Sequence, residues 1–104
     1  MSDRLLEQVK RKCNITWNDE DTNARLTDII TAAIPTLIHK LGIADPEFDF
    51  SVPSAENTLF KNYCFYDWEH CLNEFDDNYK NEIAQIRAIH RVKYHKANEV
   101  VTDE

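Results

Sequence analysis

Glycine is almost missing from this chain of 104 residues, which contains one glycine and three prolines. An all-β sandwich or barrel needs a turn about every eight to twelve residues, and such turns draw on glycine and proline. The scarcity of both therefore favours helices. Hydrophobic residues make up 42% of the chain, a normal share for a globular protein, so wholesale disorder is excluded. At this length we expect a single domain.

Long apolar runs are also missing. No stretch could span a bilayer, and charged residues interrupt the start of the chain, where a signal peptide would need an apolar core. We therefore expect a protein that stays in the cytosol and has no membrane partner. The three cysteines form no CxxC pair, which fits a reducing compartment and predicts small buried or half-buried thiols.

Catalytic and metal-binding motifs are absent as well. The chain has no glycine-rich phosphate loop, no GxSxG elbow and no HExxH pair. A zinc site built from His70, Cys71 and a distant histidine is possible by residue type, but the sequence favours the absence of a metal site. His90 falls on the apolar stripe of the last predicted helix, which favours a core or half-buried histidine with one hydrogen bond over a ligand or a catalytic base. We expect no enzyme activity and no cofactor, and a function in binding other proteins.

Charge is distributed unevenly along the chain. The total is −7, which counts against ordinary binding to nucleic acid. Between residues 80 and 96, however, five basic residues and one acidic residue give a net charge of +4, which leaves −11 on the rest. A basic end on an acidic body suggests charge-complementary docking, including docking between copies of the chain. The alternative is that these cations only complement the carboxyl end of a helix.

Apolar periodicity predicts an all-α bundle of about four helices. The first helix should begin after Ser2, which is its predicted N-cap. In the connector at 14–17, both Ile15 and Trp17 should reach the core. The second starts at Asn18 or Asp19 and carries the cleanest stripe: Leu26, Ile30, Ala33, Ile34, Leu37 and Leu41. Pro35 falls opposite that stripe, so we expect one bent helix, which Gly42 ends in the left-handed conformation.

The third helix should begin after Ser54, and the last should begin after a break between Asp67 and Asn73, with Asn73 as its cap. Residues 1–98 then form one helical domain, and residues 99–104 a flexible acidic tail. The 44–53 loop should be mobile too, because its pattern offers little apolar surface to bury. Eight residues should form the core: Leu26, Ile30, Leu37, Phe60, Phe75, Tyr79, Ile83 and Ile86.

Two motifs in the second half of the chain are distinctive: Asn-Tyr-Cys-Phe-Tyr-Asp-Trp at 62–68 and Leu-Asn-Glu-Phe-Asp-Asp-Asn-Tyr at 72–79. With the segments at 5–10 and 15–21, they resemble the head–tail connector (head-completion adaptor) family of long-tailed bacteriophages. In that family a Tyr-Asp-Trp step leads into Leu-Asp-Glu-Phe-x-x-x-Tyr and a long terminal helix. This chain departs from the pattern at Glu69, where asparagine is common, and at Asn73, where aspartate is common.

The resemblance implies a helical adaptor that forms a ring beneath the portal protein, with twelve copies by the same resemblance. DNA would pass through the ring without sequence-specific binding, and a tail-side stopper or tail-completion protein would bind below it. The protein would assemble in the cytoplasm of a bacterial host and end at the head–tail interface of the virion. An acidic lining suits such a conduit, because lysine and arginine would bind phosphates and slow transit.

Candidate functional residues fall into two sets. The family motif, which we interpret as mainly structural, comprises Tyr66, Asp67, Trp68, Leu72, Phe75 and Tyr79, with Trp68 buried and Asp67 bonded to nearby backbone. Candidate interface residues are Phe48, Phe50, Arg87, Arg91, Lys93, Lys96, Val100 and Val101, although the two phenylalanines could equally fold back on the core. The main alternative function is an acidic DNA mimic that inhibits a nucleic-acid enzyme, followed by a helical transcription regulator.

Overall fold

The computed structural model describes the backbone of residues 3–102 and the side chains of residues 4–93, and every regular element in this part is helical. The all-α prediction is therefore confirmed. The elements are α1 (Asp3–Lys12), α2 (Glu20–Lys40), α3 (Ala55–Trp68), a 3-10 turn (Leu72–Glu74), α4 (Phe75–Asn78) and α5 (Lys80–Thr102). The predicted cap Ser2 lies outside the described residues. Within the described residues, no helix combines the length and apolarity that crossing a membrane requires.

Helix α2 follows its sequence signals closely. The Asp19 carboxylate accepts the Thr22 backbone N–H at 3.1 Å, so Asp19 is the cap that starts the helix. Pro35 lies inside an unbroken helix, at an exposed position. At the other end Gly42 has φ +65°, and the N–H of Ile43 donates to the Ile38 carbonyl at 3.0 Å. That conformation is strained for a residue with a Cβ, which is why glycine ends the helix.

The core lies where α1, α2 and α3 pack together, and α4 and α5 close it from one side. Six of the eight predicted core residues are buried, while Tyr79 and Ile83 are only partly buried against the cluster. In the connector before α2, Ile15 is buried as expected. The prediction for Trp17 is wrong: 51% of it is exposed, and its indole N–H donates to the Thr22 hydroxyl at 3.1 Å.

The predicted break after α3 is confirmed. His70 has φ +61°, its N–H donates to the Asp67 carbonyl, and the Cys71 N–H donates to the Tyr66 carbonyl at 2.9 Å. These two bonds satisfy carbonyls that the end of α3 would otherwise leave unpaired. Asn73 is not the cap of the next helix: it lies inside the 3-10 turn, which has no side-chain cap.

The predicted last helix is divided at Tyr79, whose φ and ψ of −115° and 19° are not helical. Backbone hydrogen bonds nevertheless cross the division, since Tyr79 N–H donates to Phe75 O and Ile83 N–H donates to Tyr79 O, both at 2.9 Å. Helices α4 and α5 therefore meet at a hydrogen-bonded joint. No glycine or proline marks it in the sequence, and the Tyr79 ring stacks on Phe75 at this point.

The predictions for the two segments expected to be mobile, the 44–53 loop and residues 99–104, have different outcomes. In the 44–53 loop, Phe50 and Ser51 are buried, so the expectation that this loop lacks burial is wrong. Helix α5 is assigned to Thr102, but no side chain beyond Lys93 is among those described. Lys96, Val100 and Val101 therefore lie outside the described side chains, and the flexibility of residues 99–104 stays a prediction.

Candidate functional site

Three of the family-motif residues, Tyr66, Phe75 and Tyr79, meet in one aromatic cluster at the root of α5. The Phe75 ring stacks on Tyr79 at 4.9 Å between centroids and takes edge contacts from Tyr63 at 4.9 Å and Tyr66 at 5.7 Å. Tyr66 also contacts Tyr79 at 5.6 Å, and its hydroxyl accepts the Asn78 amide at 3.0 Å. Aromatic pairs at these distances stabilise beyond simple area burial. The cluster joins α3 to α4 and fixes the place where α5 begins.

Leu72 belongs to the same region, because it packs partly buried against the core just before Phe75. Asp67 does not behave as expected. Its backbone carbonyl accepts the His70 N–H at 3.1 Å, but among the described residues its carboxylate makes no hydrogen bond to nearby backbone. The turn after α3 therefore depends on main-chain bonds and not on this side chain.

Trp68 is half-buried and not fully buried as predicted, and a cation covers one face of its ring. The Arg25 guanidinium carbon lies 4.1 Å from the Trp68 ring centroid, and Arg25 Nη2 donates to the Trp68 carbonyl at 2.9 Å. The same nitrogen is 3.1 Å from Nε2 of His70. Arg25 thus ties α2 to the end of α3. Nothing in the sequence pattern pairs these two positions, which are 43 residues apart.

The two loop phenylalanines take different positions. Phe50 is 1% exposed and stacks on Phe60 at 4.7 Å, so it packs as a core residue of this chain. Phe48 is half-buried between Phe50, at 4.9 Å, and His90, at 6.0 Å. The loop folds back on the core because two large apolar rings gain more from burial than the loop loses in conformational freedom.

Polar bonds hold this loop in place. The Asn57 amide donates to the Phe50 carbonyl at 2.7 Å and to Gln8 Oε1 at 2.9 Å, and Gln8 Nε2 donates to the Ser51 carbonyl at 2.9 Å. The Asp49 carboxylate accepts the Ser51 hydroxyl at 2.6 Å and its N–H at 2.9 Å. These two bonds, the hydroxyl bond first, lower the pKa of Asp49.

Two side chains join α5 to the body of the protein. Arg87 donates to the carbonyls of Lys40, at 2.8 Å, and His39, at 3.3 Å, at the carboxyl end of α2. There the guanidinium gives the Lys40 carbonyl a partner, adds a second donor to the His39 carbonyl, which also accepts the Gly42 N–H at 3.2 Å, and complements the helix dipole. His90, which is 9% exposed, pairs through Nε2 with Glu56 Oε2 at 3.1 Å. His90 is buried, and the prediction of a core or half-buried histidine with one hydrogen bond is confirmed.

Of the predicted basic interface residues with described side chains, Arg87 is therefore engaged within the chain, while Arg91 and Lys93 are exposed. Sequence reasoning missed two apolar neighbours. Ile89 and Val92 are each 53% exposed, and they lie three residues apart on the same helix as these cations. The helical repeat could have indicated the surface position of Val92, which is turned about 120° from the buried Ile86, but not that of Ile89, which lies about 60° from Ile86.

The cysteines match their prediction: Cys13 and Cys64 are buried, and Cys71 is half-buried. Burial raises the pKa of Cys13 to about 11 and raises the pKa of Cys64 as well. Both are therefore packed as neutral thiols and not as nucleophiles. Within the described part of the chain, no group of three or more histidine, cysteine, aspartate or glutamate side chains is arranged to hold a metal ion.

Comparison with protein-family models, with curated proteins and with solved structures finds no match to this chain.

Proposed function

We propose that this protein is a head–tail connector of a long-tailed bacteriophage, an adaptor that forms a ring beneath the portal and joins the DNA-filled head to the tail. The observation that carries the proposal is the cluster of Tyr66, Phe75 and Tyr79 at the root of α5. The residues that carry the family resemblance are the ones that set where a long basic helix leaves an acidic body. An adaptor needs such a fixed projecting element, because it must reach a partner while its own core stays folded.

The chemistry of α5 supports a protein partner. Ile89 and Val92 are half exposed beside Arg91 and Lys93, and exposed apolar groups with adjacent arginine are typical of the centres of protein interfaces. The acidic remainder of the chain supports a conduit role, because it would repel DNA phosphates instead of binding them. Partners under this proposal are the portal protein, further copies of the chain and a tail-side completion protein.

The test is co-sedimentation with portal rings of the same phage. We expect the wild-type chain to sediment with the portal and the Arg91→Glu/Lys93→Glu variant to stay in the supernatant. Lys80→Glu is the matched control, because it reverses an exposed charge at the start of the same helix. If the wild-type chain does not bind portal rings, the proposal is wrong. An acidic DNA mimic would instead inhibit a nucleic-acid enzyme and leave portal rings untouched.

A further inference from the structure

An apolar groove lies on the surface between the second half of α2 and the chain that follows it. Its lining includes Ile34, Pro35 and Ile38 from α2, with Ile43, Ala44 and Pro46 from the following segment. Ile34 and Ile38 are only partly buried, and Pro35, Ala44 and Pro46 are exposed. Asp45 and Glu47, both exposed, flank Pro46 in the chain and make this rim of the groove acidic.

Helix α5 carries an exposed apolar ridge, formed by Ile89 and Val92, whose charged neighbours are basic where those of the groove are acidic. At 100° per residue, Ile89 and Val92 lie within 60° of each other on the helix surface, with Lys93 on one side of them and Arg91 on the other. More than half of each apolar side chain is exposed. The same molecule thus presents an apolar groove with an acidic rim and an apolar ridge flanked by cations.

The ridge does not fill the groove of its own chain. Arg87 reaches the His39 and Lys40 carbonyls beside the groove, so the Arg87 face of α5 is the one that points toward the end of α2. By the helical repeat, Ile89 is turned about 200° and Val92 about 140° from Arg87. Both therefore point away from the groove beside which their own helix is fixed.

We propose that the Ile89–Val92 ridge of one copy binds the groove of a second copy, with Lys93, the cation that lies nearest the ridge, facing Asp45 and Glu47. This inference rests on the proposed function and names the two surfaces by which copies join. In this mode of binding a helix lies in an apolar groove, and two of its apolar side chains about one turn apart, Ile89 and Val92, contact the groove. Because ridge and groove are different surfaces, the contact is heterologous: each copy uses its groove for one neighbour and its ridge for the other, as a ring requires.

The contact is weak in the free protein. A stable interface buries about 800 Å² on each partner, and one helical turn in a shallow groove covers much less. Copies therefore join measurably at high concentration, or when a partner holds them side by side and raises their effective concentration.

The test is cross-linking between two different single-cysteine variants, one of which carries a size tag. Ala44→Cys places a thiol in the groove and Ile89→Cys places one on the ridge, both in a Cys71→Ser background because Cys13 and Cys64 are buried. A short bismaleimide should link the tagged and untagged chains. The matched control replaces Ala44→Cys with Val52→Cys, which is also exposed but lies outside the groove lining.

We expect about fivefold more mixed product from the groove–ridge pair than from the control pair, a difference typical of a specific charged contact. Asp45→Lys/Glu47→Lys in the groove copy should lower the yield, and Arg91→Glu/Lys93→Glu in the ridge copy should restore it. Equal yields for groove and control pairs, or no restoration by the combined charge reversal, would overturn the assignment.

Running the same cross-linking reactions with and without portal rings distinguishes a failure of this inference from a failure of the proposed function. Groove–ridge product without portal binding supports the contact and contradicts the connector function. Portal binding without groove–ridge product, in either condition, supports the connector function and overturns the contact.

Discussion

Glu56 and His90 join the first turn of α3 to α5 through one contact of 3.1 Å, between side chains that are only 16% and 10% exposed. Water cannot readily replace either partner at such burial, so the loss of one leaves the other unsatisfied. Because Phe48 touches the same histidine ring, this contact also connects the 44–53 loop to α5.

Replacing either partner of this contact by alanine should lower the free energy of unfolding by about 1–3 kcal/mol, the usual cost of an unpaired buried polar group. The double variant should lose less than the sum of the two single losses, by at least about 0.5 kcal/mol. Urea denaturation of the four proteins in the cycle measures this coupling. Strictly additive losses would show that the pair contributes nothing beyond its separate side chains.

Ile30→Ala should destabilise the fold by about 2–4 kcal/mol, because Ile30 is fully buried and its truncation leaves a cavity. Ile83→Ala should cost less, under about 2 kcal/mol, because Ile83 is only partly buried and neighbouring side chains and water can fill the space. Denaturant melts of both variants give the comparison. A larger loss at Ile83 than at Ile30 would contradict the packing described above.

Asn57→Ala should release the 44–53 loop while leaving the helices folded. The change removes the donor to the Phe50 carbonyl and to Gln8, at a cost of about 1–3 kcal/mol. Limited proteolysis should then cut the loop faster than in the wild-type chain. Asn62→Ala is the control, since among the described residues the Asn62 amide donates only to the Thr58 carbonyl of its own helix, at 3.0 Å. Equal cutting rates in the two variants would rule out the anchoring role.

Stability should fall as the pH rises above about 9. The unfolded chain loses its cysteine protons near the ordinary pKa of 9.0, whereas burial holds the pKa of Cys13 at about 11 in the folded chain. Between these values the unfolded state binds fewer protons, so the free energy of unfolding decreases with pH, and below pH 9 the contribution is fully present. Cys13→Ala should flatten this part of the profile, while Cys71→Ala, at a half-buried position, serves as the comparison. Urea melts from pH 8 to pH 11, chosen to span the two pKa values, measure the slope.

Deletion of residues 99–104 should leave the melting temperature nearly unchanged but impair assembly. The segment is acidic and has no apolar periodicity in the sequence, yet it contains Val100 and Val101, which suit an interface that forms on docking. Circular dichroism tests the fold, and a particle-completion assay tests assembly. Normal yields of complete particles from the deletion variant would show that these residues are only a solvated end.

Local signals explain the parts of the fold that the sequence predicted well. Asp19, Ser54 and Gly42 act within a few residues of their own positions, so the limits of α2 and the start of α3 can be read from the chain. The break after α3 could be placed as well, because a single helix from Ser54 onward would have been too long for so small a domain.

Contacts that apolar periodicity does not encode explain what was missed. The exposed Trp17, the cation over Trp68 and the burial of Phe50 all depend on partners that periodicity does not name. The joint at Tyr79 belongs to the same group, because no glycine or proline marks it and the stacked Phe75 and Tyr79 rings are seen only in the packed structure. For the candidate interface, the sequence indicated the cations of α5, but only the packed structure separates Arg87, which is engaged, from Arg91 and Lys93.

Helix α5 is held at two places, at the joint beside Tyr79 and at the contacts of Arg87 and His90 with the body of the protein. Beyond His90 the helix continues for 12 residues to Thr102, about 18 Å at 1.5 Å per residue, so a rotation of about 10° at these contacts moves its far end by about 3 Å. Changes in the packing of the Tyr79 ring that shift these contacts are therefore magnified beyond them. Substitutions at Tyr66 or Phe75 should act at a distance, by changing where α5 points and leaving the residues it presents unaltered.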